Sequence, residues 1–198
     1  MRGLGRIVKV WQWVLVGSTI LVSWLGMMIV HEAGHATVAI ITAGHVQRVV
    51  LPVVGFSRTD VLPNPRPLAV AWGGPVIGEM LPAVALAVAA LVRWLAAYLL
   101  RFFAGFCFVA NGAYIGAASF QQEGDAYPML LFGSKPWQLW IFGIISVVIG
   151  LWLWNGLGEF FGIGPNPREV KKGHALGVAI LLGVIVVGEE VLAVVTRR

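Results

Sequence analysis

Two histidines and a glutamate stand at metal-binding spacing in the sequence His31-Glu32-Ala33-Gly34-His35. On a helix, residues four positions apart return to nearly the same face, so His31 and His35 can offer two imidazoles to one metal ion. Zinc held by two histidines and one further ligand keeps a position open for water, and an adjacent glutamate can take up the proton of that water. The pattern predicts a metallopeptidase site with Zn²⁺ as cofactor, His31 and His35 as metal ligands and Glu32 as the catalytic base.

This HExxH pentad lies inside an apolar segment that extends from Ile7 to Ala43. Ionisable side chains are costly in a membrane, so they are usually paired, buried against other helices or functional. The alternative is a chance pentad whose histidines only bond to neighbouring helices. The segment exceeds the roughly 20 residues of one crossing, which predicts either one long tilted helix or two segments.

The composition indicates a membrane protein. Of the 198 residues, 59% are hydrophobic and 12% are charged, and the mean hydropathy is +0.85. Soluble domains are much less apolar. The net charge of +5 is therefore attributed to membrane orientation and to the anionic headgroups of membrane lipid, and no nucleic-acid partner is expected.

Four further segments are apolar over the length of a bilayer crossing, at about residues 68–92, 95–118, 137–157 and 175–195. Residues 44–67 instead alternate and then become rich in proline, which predicts a short hairpin and a loop. We therefore predict an all-α polytopic, multi-pass membrane protein with five to six transmembrane helices and a membrane-associated β-like hairpin after the HExxH helix. Residues 1–198 are expected to form a single domain.

Glycines at a spacing of four residues let membrane helices approach closely. Such pairs occur at Gly74 with Gly78 and at Gly112 with Gly116, in the second and third apolar segments. They predict that both segments pack against the helix that carries the pentad.

Two histidines leave a zinc ion short of one ligand. The candidates are Glu79, Glu123, Asp125, Glu189, Glu190, His45 and His174. Asp125 is preferred, because Gly124 allows close backbone approach and the long apolar segment before it would return the chain to the depth of the histidines. Two alternatives stay open. Asp125 could simply cap the helix that follows it, and Glu79 could be the third ligand or a buried acid paired with Arg93 or Arg101.

The combination of motifs resembles the site-2 protease family of intramembrane zinc metalloproteases, especially its compact bacterial-type members. In that family a transmembrane HExxH helix is followed by an extended segment, a helix that opens with Gly-Pro, and a Gly-Asp or Asp-Gly element that supplies the third ligand. The matching residues are the pentad, Gly74-Pro75 and Gly124-Asp125, within about residues 20–135. The resemblance implies that Asp125 is a metal ligand and that the protein lies in the plasma membrane of a prokaryote.

The resemblance also implies a zinc metalloendopeptidase that cleaves a peptide bond within or near a transmembrane segment of another protein, as in regulated intramembrane proteolysis. Expected partners are that substrate, membrane lipid and a regulatory membrane protein. Residues 46–54 could pair with an unwound substrate strand, or form only a surface hairpin. Asn111 is a candidate for substrate binding, the alternative being an interhelical hydrogen bond.

The alternative function is a zinc-binding membrane protein without proteolytic activity, either a transporter or an inactive regulatory relative. Glu32 argues against it, because a site that only binds metal needs the histidines but not a general base. A transporter would also need further polar residues along a path through the membrane, and the last two apolar segments offer few.

Overall fold

The computed structural model describes residues 2–196, and Met1, Arg197 and Arg198 lie outside this range. In chain order the elements are α1 (Arg2–Ile41), β1 (Val46–Val50), β2 (Arg58–Val61), α2 (Pro67–Leu91), α3 (Ala97–Gln121), α4 (Ala126–Leu131), α5 (Pro136–Trp154), a 3-10 helix (Leu157–Phe161) and α6 (Lys172–Thr196). Five of the described helices, α1, α2, α3, α5 and α6, are long and apolar enough to cross a membrane. The predicted all-α polytopic membrane fold is confirmed.

The pentad lies near the end of one continuous helix. The apolar part of α1, Lys9–Ile41, has 33 residues. At 1.5 Å per residue this part is about 50 Å long, well above the roughly 30 Å hydrocarbon core of a bilayer. Of the two arrangements predicted for this segment, the structure has the single long helix.

The predicted hairpin follows α1 as a two-stranded antiparallel sheet. Val49 of β1 lies opposite Thr59 of β2, and Val50 lies opposite Arg58. The connection between the strands exposes Phe56. Strand β2 contacts α1 at the pentad, where the Thr59 hydroxyl donates to Glu32, so the hairpin lies beside the pentad.

Glycines determine how closely α1 and α2 approach. A Cβ atom on Gly34 would overlap the carbonyl oxygen of Gly73, and one on Gly73 would lie 2.9 Å from the carbonyl oxygen of Gly34. Gly74 and Gly78 also face α1. The prediction that the second apolar segment packs closely on the pentad helix is confirmed.

The third apolar segment, α3, also contacts α1, but the prediction that its glycines make this contact is wrong. A Cβ atom on Gly112 would lie 2.9 Å from the carbonyl oxygen of Gly143. A Cβ atom on Gly116 would lie 3.6 Å from the Cα atom of Gly143. Gly143 belongs to α5, so these glycines bring α3 against α5. The spacing of small residues indicates close packing but does not identify the neighbouring helix.

A buried apolar cluster holds α4 in place. It joins α2, α3, α4 and α5 through Ala71, Ile115, Ala118, Ala126, Met129 and Leu139. The two α4 members, Ala126 and Met129, have no exposed surface. Because α4 has only six residues, this anchoring also determines the position of the residue before it, Asp125.

Candidate metal centre

His31 and His35 lie on one face of α1, and each is only 6% exposed. Their Nε2 atoms are 3.0 Å apart. The two rings meet edge to face, with centroids 4.7 Å apart. The helical spacing thus brings the two imidazoles together as the pentad predicts.

The other ring nitrogen of each histidine makes a hydrogen bond. Nδ1 of His35 donates to the carbonyl oxygen of Val70 at 2.7 Å, and Nδ1 of His31 lies 2.6 Å from Oδ1 of Asn111. The amide of Asn111 is oriented by Nδ2, which donates to the carbonyl oxygen of Cys107 at 2.9 Å. Each Nδ1 therefore carries a proton, and the Nε2 atoms keep the lone pairs that a metal ion needs.

The turn between α3 and α4 brings Asp125 to the histidines. Gln122 and Gly124 adopt left-handed conformations, with φ of 55° and 51°. The backbone N–H of Asp125 donates to the Tyr114 hydroxyl at 3.0 Å. A Cβ atom on Gly124 would overlap that hydroxyl, so this turn requires glycine.

The carboxylate of Asp125 points at the imidazoles. Its Oδ2 atom lies 2.9 Å from Nε2 of His31 and 3.4 Å from Nε2 of His35. Although Asp125 is the N-cap residue of α4, its side chain makes no capping hydrogen bond. A carboxylate in this position can bind a cation together with the two imidazoles.

Two imidazole nitrogens and one carboxylate oxygen thus converge within 4.8 Å of one another. With Nδ1 as the donor, each imidazole can present the Nε2 lone pair that binds a metal ion. In a tetrahedral zinc site with bonds of about 2.1 Å, the ligand atoms stand about 3.4 Å apart. The three ligand atoms lie 2.9–3.4 Å apart, so small side-chain movements would give the tetrahedral spacing, and the group could hold a metal ion.

The backbone of α2 closes one side of this centre. A Cβ atom on Gly74 would overlap Nε2 of His35 and lie 2.8 Å from Nε2 of His31. Only glycine allows α2 to lie so close to the metal-binding nitrogens.

Glu32 is 3% exposed and bonds to the hairpin. Its Oε1 atom accepts a hydrogen bond from the Ser57 hydroxyl at 2.7 Å, and Oε2 accepts one from the Thr59 hydroxyl at 2.6 Å. The residue predicted as the base is therefore held from outside the helix bundle.

A half-open cavity of about 1170 Å³ reaches the site. Its lining includes His31, Glu32, His35 and Asp125, together with apolar side chains such as Trp24 and Met28. The volume exceeds the roughly 300–1,000 Å³ of ordinary ligand clefts, so a ligand larger than a small metabolite fits.

The other predicted ligands lie outside the group. Among the described residues, only His31, His35 and Asp125 form a set of three potential ligands. Oε2 of Glu79 accepts a hydrogen bond from Ser146 at 2.9 Å, and Oε1 has no partner. The pairing of Glu79 with Arg93 or Arg101 is wrong, because no described ion pair includes Glu79 and Arg101 donates to the carbonyl oxygen of Asn155.

Sequence reasoning missed several residues that support the site. Tyr114 lies one turn after Asn111 on α3, a spacing that could have indicated it. Ser57 lies just before β2 and Thr59 lies within it, two positions apart, whereas the Val70 contact uses a backbone carbonyl and leaves no side-chain signal. Asn111 makes the interhelical hydrogen bond, and its role in substrate binding stays a prediction.

Comparisons of the chain with protein-family models, with curated proteins and with solved structures find no match. The function is therefore inferred from the chemistry of the site.

Proposed function

We propose that the protein is an intramembrane zinc metallopeptidase that hydrolyses a peptide bond within or near a transmembrane segment of another membrane protein. The observation that carries the proposal is the convergence of His31, His35 and Asp125, two of them on a helix apolar enough to cross a membrane, with the buried Glu32 beside them. Ionisable groups in such helices are rare unless they are functional. The resemblance to the site-2 protease family supports the same activity.

The ligand set favours zinc. Two imidazoles and one carboxylate are the ligands of a common class of catalytic zinc site, which keeps one position open. Bound there, Zn²⁺ supplies a Lewis acid that polarises a carbonyl and lowers the pKa of water. His31 and His35 would bind through Nε2 and Asp125 through its carboxylate, while Asn111 and Val70 orient the imidazoles.

Glu32 acts as the general base. It follows the ligand His31 and lines the cavity. Its carboxylate accepts a proton from the attacking water and returns it to the leaving amine. A site that only bound zinc would not need this side chain, which favours proteolysis over the non-proteolytic alternative.

The substrate is a membrane protein whose helix unwinds at the scissile bond, because helical carbonyls are engaged in hydrogen bonds. Strand β2 lines the cavity through Arg58, Thr59 and Asp60. In a two-stranded sheet its outer edge is unpaired, so it offers a place for the unwound strand. The proposed location is the plasma membrane of a prokaryote, with membrane lipid and a regulatory membrane protein as further partners.

Replacing Glu32 tests the proposal. Glu32→Gln should keep about one zinc per chain and lose about 10²–10⁴-fold in kcat, since a carboxamide cannot accept the proton. The measurements are zinc content by mass spectrometry and hydrolysis of a library of labelled single-span peptides in lipid vesicles. Glu169→Gln is the control, because Glu169 is exposed outside the helices.

Two results would contradict this assignment. Wild-type turnover by Glu32→Gln would exclude Glu32 as the base. A zinc-loaded wild-type protein that cleaves no peptide in the library would favour a zinc-binding protein without proteolytic activity.

A further inference from the structure

Both carboxylate oxygens of Glu32 are engaged by hydroxyls of the hairpin region. The Ser57 and Thr59 bonds are 2.7 Å and 2.6 Å long, well within the range of hydroxyl–oxygen hydrogen bonds. Each donor binds a different oxygen, so together they fix the plane of the carboxylate as well as its position. No other side chain among the described residues makes a hydrogen bond to Glu32.

The two donors are held differently. Thr59 lies in β2 opposite Val49, so the strand pairing determines its position. Ser57 lies just before β2 and follows Phe56, which is 84% exposed and also lines the cavity. The hairpin therefore reaches the carboxylate from the same segment that forms one wall of the cavity.

The hairpin region, and not the helix bundle, supplies the side-chain hydrogen bonds to the Glu32 carboxylate. Asn111 and Val70 orient the two imidazoles from α3 and α2, but neither makes a hydrogen bond to the Glu32 side chain. A glutamate side chain on a helix has several rotatable bonds, and its carboxylate can turn away from the site unless other groups hold it. Reaction rates fall steeply when a catalytic group is misplaced by about 1 Å.

We propose that Ser57 and Thr59 are positioning residues that fix the orientation of the Glu32 carboxylate in the cavity that the metal ligands also line, so that the hairpin determines the orientation of the general base. This inference rests on the proposed peptidase function for its catalytic consequence. The hydrogen bonds themselves can be tested without any cleavage assay.

The first test is a double-mutant cycle on thermal stability in detergent. Thr59→Val should lower the Tm by roughly 3–10 °C in the wild-type background, because it leaves a buried carboxylate oxygen without its donor. In a Glu32→Ala background the same substitution should have much less effect. Equal Tm losses in both backgrounds would show that Thr59 does not act through Glu32 and would overturn the proposal.

The second test is kinetic, with the same peptide library. Ser57→Ala and Thr59→Val should each lower kcat by about 10- to 100-fold at unchanged KM and zinc content. Thr59→Ser and Ser57→Thr keep a hydroxyl and should restore most of kcat. Unchanged kcat, or a loss of kcat that accompanies a loss of zinc, would overturn the positioning role.

Two matched controls remove hydroxyls that serve only the helix backbone. Thr42 donates to the carbonyl oxygen of Val38, and Ser18 donates to that of Val14. Thr42→Val and Ser18→Ala should leave kcat and the Glu32 coupling unchanged. If the wild-type protein cleaves no peptide, the peptidase proposal fails, while the thermal cycle still decides whether the hairpin holds the carboxylate.

Discussion

At the scale of single residues, Asp125 and Glu79 differ in what their carboxylates contact. Oδ2 of Asp125 lies 2.9 Å from Nε2 of His31, whereas Glu79 bonds only to Ser146 through one oxygen. Glu79 is 3% exposed and the Asp125 side chain is 23% exposed, so the more buried carboxylate is not the one that meets the histidines. The contact of its carboxylate with the imidazoles identifies Asp125 as the potential ligand.

Asp125→Asn should lose zinc affinity, because a neutral amide oxygen replaces a charged ligand. Residues that only support a ligand cost about 10–100-fold in metal affinity when removed, and the loss of a direct ligand should be at least that large. Zinc affinity is measured by competition with a chelator of known strength.

Glu79→Gln is the matched control for this substitution. Its carboxamide can still accept the Ser146 hydrogen bond, and it lies outside the ligand group, so zinc affinity should stay at the wild-type value. If Glu79→Gln loses zinc and Asp125→Asn keeps it, the third ligand lies on α2 and the assignment of Asp125 is wrong.

At the scale of secondary-structure elements, the site depends on how closely two helices approach. Gly74 of α2 leaves room for the imidazoles of α1, and a side chain there would occupy that room. The same glycine that allows the helices to pack therefore also leaves the metal-binding nitrogens accessible.

Gly74→Ala should lower zinc affinity, since its Cβ atom would overlap Nε2 of His35 and press on Nε2 of His31. The Tm should also fall, because α2 must move away from α1. Both quantities are measured on the purified protein, by chelator competition and by thermal unfolding.

Gly183→Ala in α6 serves as the control, because a Cβ atom there would meet nothing within 4 Å. Alanine has a higher helix propensity than glycine, so this variant should unfold at the same temperature or slightly higher. Equal zinc affinity of the two variants would contradict the role assigned to Gly74.

At the scale of the whole molecule, the metal centre joins distant parts of the chain. His31 and Asp125 are 94 positions apart, and Asn111 on α3 is 80 positions from His31. A bound ion would tie α1 to the turn between α3 and α4, and it would bind the folded state only.

Removal of zinc with a chelator should therefore lower the Tm. At a free zinc concentration of 100 Kd, binding stabilises the folded state by about 2.7 kcal/mol, which corresponds to a shift of about 5–10 °C for a chain of this size. Thermal unfolding with chelator, and again after zinc is restored, measures the shift.

His35→Ala should show no such shift, because it lacks a ligand, and Glu169→Gln should show the full wild-type shift. A Tm that does not respond to zinc in the wild-type protein would exclude a metal centre that joins these elements.

Local patterns were sufficient to predict several features of this protein. The spacing of His31 and His35 places them on one face of any helix, so the proximity of the two imidazoles could be predicted without knowledge of the tertiary structure. Runs of apolar residues indicate the membrane helices, and alternation indicates the hairpin, since each depends on a period or length that can be read along the chain.

The sequence by itself thus determined the membrane-helix architecture and two of the three potential ligands, and it favoured Asp125 as the third while leaving Glu79 open. Only the tertiary structure decided that Asp125 rather than Glu79 meets the histidines, that Gly112 faces α5, and that Ser57 and Thr59 hold Glu32. These contacts join residues far apart in sequence. They follow from the packing of all helices together, and a local pattern records which face of an element is buried but not what lies against it.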